Sequence, residues 1–104
     1  MLKVFNKVLK VKVEELANKN QFVITYTKPN GCRVYSFQSY DSLIAVYDTE
    51  DSKLYINWYK WDFSKTTMKH LKMFIEDWTI YNYVDKKSFN HFIATSPDVE
   101  TFTE

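Results

Sequence analysis

The segment from Leu43 to Trp78 constrains the fold of this chain more than any other part. It begins with two runs rich in β-branched and aromatic residues, LIAVY and KLYINWY, which are separated by the polar sequence DTEDS. Such runs on either side of a polar turn predict two paired β-strands. Apolar residues then recur at helical spacing from Met68 onwards, after Ser64, which is a good helix N-cap. Strands followed by a helix predict an α+β domain.

Two further strands are predicted before this segment. The sequence QFVITYTK alternates, with every second side chain on one face, and residues 33–40 follow as a returning strand. Between them lies Pro-Asn-Gly, in which Gly31 supplies the positive φ that a tight turn needs. Four strands joined by short connections predict an antiparallel meander.

Residues 2–17 combine two patterns. Apolar side chains recur at spacings of three and four residues, at Leu2, Phe5, Leu9, Val13 and Leu16. This stripe predicts a helix, although VLKVKV also alternates as a strand would. We favour the helix because the stripe persists over four turns. At the other end of the chain, a short helix is predicted over residues 85–95, and Pro97 ends it. Residues 98–104 are predicted to be a frayed tail.

These elements predict one α+β domain over residues 1–104. It consists of an N-terminal helix, a four-stranded antiparallel meander sheet and two C-terminal helices packed on one face. The single cysteine, Cys32, excludes an intrachain disulfide and suits a reducing compartment. No apolar run approaches the roughly 20 residues that span a bilayer. We therefore expect a cytoplasmic protein that does not bind a membrane.

The residue spacings typical of metal sites and catalytic sites are absent. His70 and His91 lie on different predicted helices, and Cys32 lies in a turn. None of the patterns CxxC, HxxxH or HExxH occurs, so we expect no metal, no cofactor and no catalytic residue. An enzyme centred on His70 and Asp77, which share a predicted helical face, is the weakest of three functional hypotheses.

Aromatic residues make up 18% of the chain, which is unusually high. A core of this size cannot satisfy the hydroxyl and N–H groups of so many Tyr and Trp residues, so some rings are predicted to be exposed. Exposed Trp and Tyr residues are typical anchors of a protein interface. The predicted partner-binding residues are Tyr55, Trp58, Tyr59, Trp61, Tyr81 and Tyr83, with Asp48, Glu50 and Asp51 as acidic helpers.

The same region supports an alternative function. Between Lys53 and Lys72 there are five lysines and one acidic residue, Asp62. Lysines beside stackable rings are suited to single-stranded nucleic acid, with phosphates on the charges and bases on the rings. The residues of this alternative are Lys60, Lys65, Lys69 and Lys72. The net charge of +1 and the presence of a single arginine weigh against it.

Residues 34–78 also carry a resemblance. The patterns LIAVYD, LYI and WDFSKTTxKHxxxF resemble a small uncharacterised domain encoded by phages and other mobile elements of low-GC Gram-positive bacteria. The residues that carry the resemblance are Trp61, Asp62, Ser64, Thr66, Thr67, Lys69 and His70. It implies an anti-defence protein that inhibits by binding. Its implied partner is a host defence protein such as a CRISPR effector nuclease.

Overall fold

The computed structural model describes residues 8–104, and residues 1–7 lie outside the described range. The described chain forms six strands and two helices, with both helices between the fifth and sixth strands. The strands are β1 (Lys10–Leu16), β2 (Asn18–Thr27), β3 (Arg33–Ser39), β4 (Ser42–Asp48), β5 (Lys53–Asn57) and β6 (Val99–Phe102). The helices are α1 (Lys65–Trp78) and α2 (Lys86–Thr95).

The strands form one mixed sheet in sequential order. β1 to β5 are an antiparallel meander, and β6 pairs with β5 in the parallel direction. The parallel pairing is possible because the chain returns through both helices before it forms β6. The helices pack on one face of the sheet, where Phe37 of β3 stacks on Phe74 of α1 with 5.9 Å between ring centroids. Phe89 of α2 is buried in the same core.

The predicted N-terminal helix is wrong. Residues 10–16 form the edge strand β1, and the part of the predicted helix over residues 2–7 lies outside the described range. β1 pairs with β2, and the chain reverses at Ala17, which has a φ of 64°. The β-branched side chains of VKVEEL and the backbone groups at the edge of β2 outweigh the helical spacing. Val11 and Val13 remain more than half exposed as a result.

The predicted frayed tail is also wrong, because residues 99–102 form β6. The N–H of Leu54 donates to the carbonyl of Asp98 at 2.9 Å, and the N–H of Trp58 donates to the carbonyl of Phe102 at 2.9 Å. These bonds satisfy backbone groups on the outer edge of β5. The sheet therefore has six strands and mixed direction, in place of the four antiparallel strands that the sequence predicts.

The prediction of α1 and its N-cap is confirmed. The Ser64 hydroxyl accepts a hydrogen bond from the Thr67 N–H at 3.0 Å, which satisfies a free donor of the first turn. The buried face of the helix, however, includes polar residues as well as apolar ones. His70 is 1% exposed and lies among the core residues of α1. The buried side chains of α1 are Thr67, His70, Leu71, Phe74 and Ile75.

Candidate functional site

The segment between β5 and α1 folds into two tight turns. The N–H groups of Lys60 and Trp61 both donate to the carbonyl of Asn57, at 3.2 and 3.0 Å, and the N–H of Phe63 donates to the carbonyl of Lys60 at 3.2 Å. These turns separate the aromatic side chains of WYKWDF into two sets. Trp61 is only 2% exposed, whereas Tyr59 and Phe63, two residues away on either side, are 69% and 74% exposed.

Trp61 and Asn57 fix this segment to the rest of the molecule. The Trp61 ring contacts Phe89 of α2 edge-on, with 5.5 Å between centroids. The Asn57 side chain is fully buried, and its Nδ2 donates to the carbonyl of Leu43 at 2.8 Å. A segment held in this way loses little conformational entropy when its exposed rings meet a partner.

Four rings are exposed at this end of the sheet. The exposed fractions are 43% for Trp58, 69% for Tyr59, 74% for Phe63 and 59% for Tyr40. Tyr40 belongs to the turn between β3 and β4, and it lines the same cleft as Phe63. We call Tyr40, Trp58, Tyr59, Lys60 and Phe63 the aromatic corner.

The cleft at the aromatic corner has a volume of about 290 Å³. Its aromatic wall carries a cation, because the Nζ of Lys60 lies 5.3 Å from the centroid of the Phe63 ring. Its polar lining includes Ser39 and Thr67, whose hydroxyl oxygens are 3.5 Å apart. A concave surface with rings and a few hydroxyl groups is suited to receive one large side chain of a partner protein.

Tyr40 holds an unusual backbone conformation. It is the first residue of the two-residue turn between β3 and β4, and its φ is 55°. Glycine is preferred at such a position, because an L-residue there costs roughly 1–2 kcal/mol. The turn nevertheless carries a tyrosine whose ring is mostly exposed. Residues with strained backbones cluster at binding sites in many proteins, although Ala17, Asn20 and Ser52 of this chain also have positive φ values.

The predicted partner-binding residues do not form one surface. Trp58 and Tyr59 lie in the aromatic corner. Trp61 and Tyr83 are 2% and 5% exposed and pack around Phe89, so they are core residues and cannot contact a partner in this fold. Tyr55 lies on the sheet face opposite the helices, since its neighbours along β5 are the ones that enter the core.

Tyr81 and Asp51 lie at the other end of the sheet. The Tyr81 hydroxyl donates to the carbonyl of Ser52 at 2.6 Å, and Asp51 accepts a hydrogen bond from the N–H of Lys53 at 3.1 Å. Burial raises the pKa of the Tyr81 hydroxyl. Both residues brace the turn between β4 and β5, which is remote from the aromatic corner.

The remaining acidic helpers form a structural ion network at that same turn. The Nζ of Lys28 lies 2.8 Å from Asp48 and 3.0 Å from Glu50. Burial lowers the pKa of Lys28, but hydrogen bonds to the two carboxylates and their charges outweigh it, so the net shift is upward. The hydrogen bond from Lys28 holds the pKa of Glu50 below its usual value. Asp48 is only 3% exposed and therefore serves the fold.

The lysines of the nucleic-acid alternative are also divided. Lys65 and Lys69 are exposed on α1. Lys60 packs over a phenyl ring, and the Nζ of Lys72 donates to the carbonyl of Tyr83 at 3.0 Å. Two of the four ammonium groups thus have contacts within the protein, so this surface is less suited to bind a row of phosphates.

The described residues do not bring the candidate acid–base pair together. His70 is buried, and its Nδ1 lies 2.8 Å from the carbonyl of Thr66, to which it donates. Asp77 is exposed on the same helix. Within residues 8–104, potential metal ligands do not gather in groups of three or more. Neither of the two helices in that range has the length and apolar character required to cross a membrane.

Sequence reasoning missed Tyr40 and Phe63, which complete the aromatic corner. The sequence prediction placed Tyr40 within the strand over residues 33–40, whereas the strand pairing makes it the first residue of a two-residue turn that lacks glycine. Phe63 gave no signal in the sequence. Its exposure depends on the turn geometry after Asn57, which the residue types alone do not specify.

The fold and the aromatic corner define a small α+β protein with a preorganised, exposed aromatic surface. Residues 10–91 match DUF8033, a family of unknown function, and the chain belongs to this family. The match extends from β1 into α2 and therefore includes the aromatic corner, whereas β6 lies beyond it. The chain has no significant match among curated proteins or solved structures.

Proposed function

We propose that this protein acts by binding another protein through the aromatic corner and that it catalyses no reaction itself. The observation that carries the proposal is the set of four exposed rings, three of which lie on the segment anchored by Trp61 and Asn57. Trp and Tyr anchors supply a large share of the energy in protein interfaces. A clustered apolar surface of this kind is typical of an interaction site.

The charges of the corner favour a protein partner over nucleic acid. Lys60 is the single cation among the five corner residues, and the acidic Asp41 lines the same cleft. Nucleic-acid binding relies on several cations that neutralise several phosphates. A nearly neutral aromatic surface with hydroxyl groups at its edge fits the core and rim of a protein interface.

We further propose that the partner belongs to a bacterial defence system, with a CRISPR effector nuclease as the leading candidate, and that binding occurs in the host cytoplasm. The support for this step is the sequence resemblance to domains of phages and mobile elements. In this proposal the rings insert into the partner and block either its nucleic-acid channel or a conformational step. Inhibition then requires binding energy alone.

A plasmid-interference assay tests the proposal. Bacteria that carry an active CRISPR effector are transformed with a targeted plasmid, with and without this protein. The protein is expected to restore transformation, and Tyr59→Ala combined with Phe63→Ala is expected to abolish that effect. The matched control is Ile80→Ala combined with Val84→Ala, because these apolar side chains are 69% and 74% exposed outside the corner.

The two parts of the proposal fail in different ways. Equal activity of the corner variant and the control variant would exclude the corner as the binding surface. Absence of any effect of the wild-type protein on interference would exclude the anti-defence role against the effector tested. Far-UV circular dichroism of both double variants shows whether a loss of effect reflects a loss of folding.

A further inference from the structure

A second cleft, of about 260 Å³, lies on the helix-bearing side of the sheet, between the end of α1 and strands β1, β2 and β3. Three cations line it: Lys10, Lys12 and Arg33, the only arginine in the chain. Its aromatic residues are Tyr35 and Trp78, the last residue of α1. We call this cleft the basic groove.

Strand pairing arranges the floor of the groove in two rows. In the first row Thr27 pairs with Lys10 on one side and Arg33 on the other. Directly paired residues on neighbouring strands lie about 5 Å apart and point to the same face. A hydroxyl group therefore lies between two cations. Hydroxyl, ammonium and guanidinium groups are the donors that bind phosphate oxygens.

The second row is more aromatic. Thr25 pairs with Lys12 and with Tyr35, and it lies two residues along β2 from the first row, which is a distance of about 7 Å. The Tyr35 ring meets the Trp78 ring edge-on, with 5.1 Å between centroids. The second row therefore keeps one cation, Lys12, on its β1 side and is aromatic on its β3 side.

The C-terminal end of α1 favours one orientation of a ligand in the groove. The last carbonyl groups of a helix carry a partial negative charge, which disfavours an anion beside Trp78. A neutral ring with N–H donors is favoured there instead. The phosphate of a ligand is accordingly expected at the Lys10–Arg33 row and its ring against Trp78.

We propose that the basic groove binds one nucleotide, with its phosphate on Lys10, Thr27 and Arg33 and its base against Trp78. The nucleotide is either free or part of a single strand. Glu14 is the one acidic residue among the described lining residues, and it lies 3.9 Å from Lys12. Both side chains of that pair are well exposed, so the pair is weak and leaves the first row unaffected.

The groove is independent of the proposed protein-binding function. Its cationic row lies at the strand ends opposite the aromatic corner, since Lys10 begins β1 and Arg33 begins β3 while Tyr40 follows the end of β3. Loss of nucleotide binding therefore need not affect inhibition by the corner, and the two functions are separable by mutation.

Fluorescence anisotropy with a short fluorescein-labelled oligothymidylate at low salt tests the proposal. The full-length protein is expected to bind the probe. Lys10→Ala combined with Arg33→Ala is expected to weaken binding at least about tenfold. It is also expected to reduce the slope of log affinity against log salt by about 0.7, the value for one phosphate of a single strand. The matched control is Lys65→Ala combined with Lys69→Ala, which removes two exposed lysines of α1 and is expected to change neither quantity.

Competition identifies the ligand. Thymidine monophosphate is expected to displace the probe better than thymidine or inorganic phosphate, because it alone carries both recognised groups. Equal affinity of the monophosphate and the probe would assign a free nucleotide, and a much weaker monophosphate would assign a single strand. Quenching of tryptophan fluorescence by the monophosphate is expected in the wild type and should be reduced in Trp78→Phe.

Three results would overturn the proposal. The first is the absence of binding to both the oligothymidylate and the monophosphate at low salt. The second is an equal loss of binding in the α1 control variant, which would move the site to Lys65 and Lys69. The third is equally tight binding of duplex DNA, whose stacked bases are not available to Trp78.

Discussion

Replacement of Tyr40 by glycine should stabilise the fold while it weakens partner binding. Tyr40 is held at a φ of 55° in a two-residue turn, where glycine adopts the same conformation without steric cost. Its ring, 59% exposed, contributes little to the core. The substitution therefore removes backbone strain and one of the four rings of the aromatic corner together.

The size of the stability gain follows from two opposing terms. Relief of the left-handed conformation of a non-glycine residue contributes roughly 1–2 kcal/mol. The greater freedom of glycine in the unfolded chain costs roughly 0.5–1 kcal/mol. The expected net increase in the free energy of unfolding is about 0.5–1 kcal/mol, which corresponds to a rise in Tm of roughly 3–6 °C for a domain of this size.

Ser52→Gly is the matched control. Ser52 also has a positive φ, 57°, but it lies in the turn between β4 and β5, remote from the corner. Its carbonyl, which accepts the Tyr81 hydrogen bond, is retained in glycine. Urea and thermal unfolding should show a similar gain for both variants, whereas the interference assay should show a loss for Tyr40→Gly alone. A stabilised Tyr40→Gly protein with full inhibitory effect would refute the functional reason for this tyrosine.

Three further predictions concern the stability of the fold. Asp48→Ala should lower the free energy of unfolding in urea by about 2–3 kcal/mol, because the poorly exposed Lys28 loses its nearer carboxylate. Asp48→Asn should lower the free energy of unfolding by less, since the amide oxygen still accepts a hydrogen bond from the Glu50 N–H. The wild-type protein should lose stability as the pH rises above about 10.5, the unfolded pKa of Lys28. The folded pKa of Lys28 is higher, so the ion pairs of Lys28 stabilise the fold fully below the unfolded pKa, and this stabilisation is lost as the pH rises through the folded pKa. Lys28→Met should show a smaller alkaline loss in a pH series of urea titrations, and an unchanged loss would assign the effect elsewhere. Trp61→Ala should lower the free energy of unfolding by about 3–5 kcal/mol and reduce the near-UV circular dichroism signal. Alanine at the 43% exposed Trp58 should lower it by less than about 1 kcal/mol.

The elements predicted correctly from the sequence depend on local contacts. α1 has its N-cap at Ser64 and its apolar spacing within one continuous segment. The strands β2 to β5 are joined by short turns, and Gly31 adopts the positive φ expected of it, 89°. These features are encoded by neighbouring residues, so a single sequence is enough to predict them.

The two strands missed depend on distant contacts. Residues 10–16 carry both a helical and a strand pattern, and the open edge of β2 decides between them. β6 is short and polar, and its partner β5 precedes it by two helices. Local patterns carry no information about such pairing.

The candidate site was predictable only in part for the same reason. The surplus of aromatic residues indicated exposed rings, but Trp58 and Trp61 are equally plausible anchors from their residue type. The hydrogen bonds to the Asn57 carbonyl turn one ring outward and the other into the core. Tyr40 and Phe63 line the same cleft, although their segments are distant in the chain.

The placement of β6 has a consequence for synthesis of the protein in the cell. The outer edge of β5 stays uncovered until residues 99–102 have left the ribosome, although the other four strands can already pair. During that interval the LYIN backbone is an open template for strands of other nascent chains. Truncation before Val99 should make this state permanent and direct the product into inclusion bodies.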